Sequence, residues 1–248
     1  MDYVLLAVWC FVVALGGGLV GLVLGNIRLP AVLLLSSSPA AGTGANIGIS
    51  AVAAATASIA HVRAGRVNWR LFGWMAPPSI AGALAGGYLS GVLPGDVLLL
   101  GIAAVLLSSA YELLAKPDTS RKRPGREGLD IPVAVATGAV IGLLGGIVGL
   151  ILGSLRMPAL VRLVGEQPAR AVGTNVTVGF LVGIAGLIGH LPSAPPDWGL
   201  LAVGAAASIP GALIGSRLTG RLSDRQLLRA IGDVLLVAAA VMIIDALT

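Results

Sequence analysis

The chain has 248 residues, of which 56% are hydrophobic and 11% charged, with a net charge of +5, and its mean hydropathy is +0.97. About 25% charged residues is ordinary for a soluble domain, so this chain has too little polar surface for a soluble globule, a disordered tail or a secreted disulfide scaffold. The positive balance does not point to nucleic acid, because the arginines sit between apolar segments, where basic residues fix membrane orientation.

Taken in order, the apolar runs predict a polytopic α-helical membrane protein. The first span is Val4–Leu24. No Lys or Arg precedes Arg28, so the basic region of a cleaved signal is missing and the segment is expected to stay as a helix. Cys10, inside this run, has no second cysteine to pair with and is expected to pack. A short piece, Leu29–Leu35, follows with Pro30 near its start, then spans at Gly44–Ala60, Leu71–Leu93 and Val97–Leu114. A polar linker, Lys116–Asp130, carries five basic residues. Beyond it come Ile131–Leu152, the short Met157–Val164 with Pro158, and spans at Val172–Ile188, Gly199–Leu218 and Leu227–Leu247. Each long run can cross a hydrocarbon core of about 30 Å, and the two short pieces cannot do so alone. They read as half-helices or re-entrant segments opened by a first-turn proline. The reading is eight full spans and two broken helices, with residues 1–115 as a first unit, 116–130 as a basic cytoplasmic linker and 131–248 as a second unit.

The two units are copies. GGLVGLVLGNIRLPA (Gly17–Ala31) aligns without gaps to GGIVGLILGSLRMPA (Gly145–Ala159), with ten of fifteen positions identical at an offset of 128. After a one-residue slip the register continues at 129, pairing Pro39 with Pro168, Gly44 with Gly173, Asn46 with Asn175, His61 with His190 and Trp69 with Trp198. A register held over some 80 residues, and carrying Arg, Asn, His and Trp, is a duplication. Duplicated halves broken at matching places mark secondary transporters, whose substrate site lies near the midplane between the halves.

Orientation follows from the basic loops. Arg63, Arg66 and Arg70, the linker, and Arg217, Arg221, Arg225 and Arg229 are expected in the cytoplasm, while Pro94–Asp96 and Leu191–Asp197 have no Lys or Arg and are expected outside. The loop after His61 would then be inside and its copy after His190 outside, which makes the repeats inverted. The rival is eight simple crossings with parallel repeats, and it strands the last four arginines on the wrong side.

Among polar residues, Arg28 and Arg156 hold equivalent places beside a helix break. An arginine keeps its proton, so when buried it needs an anion or a wet cavity. Two guanidiniums facing one cavity could hold an anion by bidentate hydrogen bonds. Snorkelling to interfacial water is the alternative. Gly17, Gly18, Gly145 and Gly146, in rows with Gly21, Gly25, Gly149 and Gly153, allow close helix contact and unwinding that exposes backbone N–H groups. Asn46 and Asn175, at the start of their spans after a polar turn, could orient a substrate or bond a neighbouring helix. Thr43, Thr174 and Ser36–Ser38 add hydroxyls. His61 and His190 read as interfacial, Trp69 and Trp198 as belt anchors. Asp233 reads as the partner of a nearby arginine, and Glu166 as the partner of Arg162 or Arg170. No P-loop, hydrolytic triad or metal-ligand grouping occurs, so no catalytic residue, cofactor or metal is expected, and the chain reads as a non-enzyme.

The stretches GGGLVGLVLGNIRLPAVLL, RAGRVNW and PARAVGTN resemble the sulfite exporter TauE/SafE family. The resemblance implies an inner-membrane, multi-pass carrier of small sulfur oxyanions and organosulfonates such as sulfite, thiosulfate or sulfoacetate. Many members of that family carry aliphatic or small residues where Arg28 and Arg156 stand; the paired arginines nonetheless suit an anion, in agreement with the family, and are read as neutralising it. The expected partners are a small anion and the lipid bilayer, without nucleic acid, and a homodimer is compatible with the sequence. A non-transporting membrane scaffold and a passive anion channel are the alternative readings.

Overall fold

The computed structural model describes residues 3–88, 95–115, 130–148, 151–191 and 195–247. The basic linker expected at 116–130 lies almost wholly outside them, as does Gly149. All described secondary structure is helical: α1 (Tyr3–Val20), α2 (Gly25–Leu33), α3 (Pro39–Arg63), α4 (Trp69–Tyr88), α5 (Gly95–Ala115), α6 (Ile131–Val148), α7 (Gly153–Ala159, continued by a π-helical turn, Leu160–Val164), α8 (Pro168–His190), α9 (Trp198–Thr219) and α10 (Asp224–Leu247). Among the described residues six helices, α1, α3, α5, α8, α9 and α10, are long and apolar enough to cross a membrane, and α6 has a shorter apolar run, Ile131–Ile147. Of the eight expected spans the remaining one is α4, which runs through Pro77 and Pro78.

The helix breaks form where the glycines predict, but their boundaries shift. α1 stops four residues short of Leu24. Gly21 takes a left-handed φ of 68°, and Leu22 N donates to Gly17 O at 3.0 Å, the six-to-one bond of a Schellman end. α2 then starts at Gly25 and α7 at Gly153. Pro30 and Pro158 therefore lie inside their helices rather than in the first turn, because each unwound segment ends earlier than the prolines suggest. α3 and α8 also start early, each with a proline at the N-terminal position that tolerates its missing N–H. Ser38 caps α3 by accepting from Ala41 N at 3.2 Å. In consequence Asn46 and Asn175 lie about two turns inside their helices, not at the starts.

The helices pack in matched pairs, α1 on α9, α4 on α6, α3 on α8 and α5 on α10. Small residues set the closest approaches. A Cβ on Gly211 or Gly215 of α9 would come within 2.3 Å of Phe11 O and 2.1 Å of Leu15 O on α1. On the other pair, a Cβ on Gly82 or Gly86 of α4 would meet Ala139 O at 2.4 Å and Leu143 O at 2.1 Å on α6. In both pairs residue numbers rise together, so the partners run parallel. The central pair runs antiparallel. The α8–α9 connection sits on the start of α3, with Asp197 N donating to Ala41 O at 3.1 Å, and the α3–α4 turn sits on the start of α8, with Asn68 N donating to Thr174 Oγ1 at 2.9 Å.

Candidate functional site

α2 and α7 carry the two arginines into the interior. Arg28 is 2% exposed and Arg156 1%, so neither guanidinium snorkels to the surface. α3 receives Arg28: Nε donates to Asn46 Oδ1 at 3.0 Å, and Nη2 donates to Asn46 O at 3.1 Å and to Ser50 Oγ. α8 receives Arg156, whose Nη1 donates to Asn175 Oδ1 at 3.3 Å. No carboxylate forms an ion pair with either arginine among the described residues.

The asparagines are bound to the helix breaks. Asn46 Nδ2 donates to Gly25 O at 3.0 Å. Asn175 Nδ2 donates to Gly21 O at 2.8 Å and to Gly153 O at 2.9 Å, joining the unwound segment after α1 to the start of α7. Both amides are thus brackets that tie the segment around a helix break to α3 or α8 and position a guanidinium. Ser50 was not singled out from sequence, although it stands four residues after Asn46 on the same helix face, which is the signal that could have found it.

A cavity of about 20 Å³, room for roughly one water, lies beside the first break. Gly17, Gly18, Val23, Arg28, Ser50 and Val176 are among its walls. A Cβ on Gly18 would lie 2.6 Å from Ala212 O, and one on Gly17 2.6 Å from Leu22 O, so both glycines are required by close approach. Gly145 is buried and Gly146 half-buried on α6, where Gly86 of α4 packs onto Gly146 Cα. The two threonines do not line the cavity. Thr43 Oγ1 donates to Pro39 O of its own helix at 2.9 Å, and Thr174 holds the α3–α4 turn.

His61 departs from its interfacial expectation. It is fully buried, because Gly65, with φ 68°, ends α3 and folds the turn back over α1 and α9. Its Nε2 bonds Gly18 O at 3.2 Å. His190, half-exposed, bonds Ala40 O at 2.9 Å. Trp69 and Trp198 are exposed as belt residues would be. Glu166 is buried. It accepts from Asn68 Nδ2 and lies 3.7 Å from Arg170 Nε, while Arg162 reaches Glu112 O at 2.7 Å instead. Arg66 Nη2 donates to Ser216 O at 2.8 Å, and partial burial lowers its pKa from the ordinary value. Asp233 is exposed on α10 and forms no ion pair among the described residues. No cluster of three metal-ligating side chains occurs among the described residues.

A bundle of apolar helices broken at two buried arginines is the architecture in which comparison with known proteins becomes informative. The sulfite exporter TauE/SafE family model matches residues 6–243, nearly the whole chain. The chain belongs to the sulfite exporter TauE/SafE family. Similar proteins include "Probable membrane transporter protein YunE" of Bacillus subtilis (strain 168), 24% identical over 91% of this chain and 90% of the relative. "Probable membrane transporter protein YjnA" of the same organism is 28% identical over 92% and 95%. No solved structure matches the chain. This TauE/SafE member is therefore a multi-pass membrane transporter and not an enzyme.

Proposed function

We propose that the protein is a secondary transporter of small anions, in particular sulfur oxyanions or organosulfonates, working by alternating access in the inner (plasma) membrane. The observation that carries this reading is the pair of buried arginines, without carboxylate partners among the described residues, at matching helix breaks. A buried, permanently charged group is costly unless an anion answers it, and a passing anionic solute supplies that answer.

The two copies, 1–115 and 131–248, are inverted in this reading. Three contacts support it. The turn after α3 and the end of α9 meet through Arg66 and Ser216, which brings Arg63 and Arg66 to the same end as Arg217 and Arg221. The connection after α8, free of Lys and Arg at its described residues 195–197, meets the opposite end of α3 through Asp197. The equivalent helices α3 and α8 run antiparallel, as inversion requires. With α2 and α7 completing a fifth crossing in each copy, all the basic loops fall on one side. The small cavity is then a closed state, and rocking of one copy against the other would enlarge it.

The test is uptake into proteoliposomes of radiolabelled sulfite, sulfate, thiosulfate, sulfoacetate and taurine. Saturable uptake of at least one anion, with counterflow, is expected for the wild type, and its loss in Arg28→Ala and Arg156→Ala. Transport of none of the panel, or full activity in both variants, would overturn the reading.

A further inference from the structure

The two arginines are copies in sequence but not in bonding. The Nε and Nη2 groups of a guanidinium form one planar edge that matches two oxygens of a carboxylate, sulfonate or sulfite. In Arg28 that edge is filled: Nε by Asn46 Oδ1 at 3.0 Å and Nη2 by Asn46 O at 3.1 Å and the Ser50 hydroxyl. In Arg156 it has no hydrogen-bond partner among the described residues. The one hydrogen bond of this side chain among the described residues leaves from Nη1, at 3.3 Å, and Nε is buried without a partner.

Two things differ: Asn175 Oδ1 takes Nη1 of Arg156 where Asn46 Oδ1 takes Nε of Arg28, and the serine that answers Nη2 is missing from the second copy. Asn46 and Ser50 are one turn apart on α3. Asn175 and Gly179 are one turn apart on α8, and the register of 129 that aligns the asparagines places Gly179 where Ser50 stands. The second copy therefore has no hydroxyl to close the edge. A Cβ at Gly179 would meet Val23 Cγ2 at 2.8 Å and no other described atom within 4 Å, so the Arg156 guanidinium does not close onto this position either. The cavity beside Arg28 does not offer an equal site. It has room for about one water, and the guanidinium edge next to it is already occupied.

We propose that Arg156 is the direct ligand of the transported anion, through its Nε–Nη2 edge. Its ligand is an oxyanion presenting two oxygens in one plane, and Gly179, standing where the first copy has Ser50, is the specificity-determining residue that leaves Nη2 without a hydroxyl partner. Arg28 is the copy whose edge the protein has filled for itself. The proposal rests on the anion-carrier reading above.

The experiment uses the full-length protein purified in detergent, with binding of sulfite, thiosulfate and sulfoacetate followed by calorimetry and by thermal stabilisation against chloride at equal ionic strength. Gly179→Ser places a hydroxyl at the position equivalent to Ser50. Gly179→Ala carries the same Cβ and the same contact with Val23 without it. The dissociation constant of the tightest oxyanion is expected to rise about tenfold or more in Gly179→Ser relative to Gly179→Ala, the scale of a lost charge-assisted hydrogen bond. A similar loss is expected in Arg156→Lys, which keeps the charge but not the planar edge. Equal affinities in the serine and alanine variants would overturn the proposal, as would binding that survives Arg156→Gln and is lost in Arg28→Gln. A wild type that binds none of the three oxyanions would overturn the carrier reading itself, whereas wild-type binding with an unaltered serine variant removes this assignment alone.

Discussion

Burying an arginine in an apolar bundle leaves five N–H donors to be answered, and how they are answered decides what each side chain is for. Arg28 is held by Asn46 and Ser50, so removing Ser50 leaves part of a buried cation without its acceptor. Hydrogen bonds to charged groups contribute about 1.5–3 kcal/mol. Ser50→Ala is therefore expected to lower stability by about 2 kcal/mol, measured as thermal unfolding in detergent. Thr56→Ala, whose hydroxyl bonds only Val52 O of its own helix among the described residues, should change it by less than about 0.5 kcal/mol. The Asn175 side chain answers three groups at once, Gly21 O, Gly153 O and Arg156 Nη1. Asn175→Leu removes all three bonds and leaves Arg156 Nη1 unanswered in the interior, and a loss of about 3–5 kcal/mol follows, enough to shift elution from a monodisperse to an aggregated species. An Asn175→Leu protein as heat-resistant as wild type would show that the bracket does not hold the break. The identities of Arg28, Arg156, Asn46 and Asn175 were legible from the duplicated sequence. Their bonding was not, because α3 and α8 start earlier than their polar turns suggest and carry the amides two turns inward, onto the carbonyls of Gly21, Gly25 and Gly153 around the breaks.

At the level of the elements, two kinds of glycine do different work. Gly21 is needed for its backbone. Its φ of 68° disfavours a side chain by about 1–2 kcal/mol, and a Cβ there would also lie 2.5 Å from Val172 O. The glycines of α9 are needed for contact: Gly211 and Gly215 lay the α9 backbone directly on α1. Within a bilayer such packing replaces the hydrophobic effect as the force between helices. Gly215→Leu is expected to separate α1 from α9 and lower the unfolding temperature sharply, since overpacking costs about 1–3 kcal/mol or more. Gly101→Ala on α5, where a Cβ meets no described atom within 4 Å, should leave stability unchanged or raise it by up to about 1 kcal/mol. Similar losses at both positions would mean that the α1–α9 contact is not special. Sequence located the glycine rows but could not separate these roles, since a positive φ and a bare helix face have the same residue as their signature. The His61 expectation failed for a related reason. A histidine ending an apolar run looks interfacial until the Gly65 turn covers it with α1 and α9.

For the whole molecule, the matching stretches of the two halves are legible in the sequence because their register carries rare residues, while the sense of the second half depends on where loops land after folding. The contacts favour inversion: the turn at Ala64 and the connection at Pro195, which are the repeat-equivalent ends of α3 and α8, sit at opposite ends of the antiparallel pair. Parallel repeats would put both on one side of the membrane. The two arrangements therefore differ in a measurement that needs no substrate. Cys10 is fully buried and can be replaced by alanine to give a cysteine-free background. Ala64→Cys, Pro195→Cys and Ser223→Cys then place single thiols at exposed positions. With a membrane-impermeant maleimide on intact cells, Pro195→Cys is expected to label at once, and Ala64→Cys and Ser223→Cys only after permeabilisation, because the last two share the end where Arg66 meets Ser216. Labelling of Ala64→Cys and Pro195→Cys from the same side would exclude inversion. It would also leave Arg217, Arg221, Arg225 and Arg229 on the face that the positive-inside rule disfavours, so the charge argument and the packing argument stand or fall on the same result.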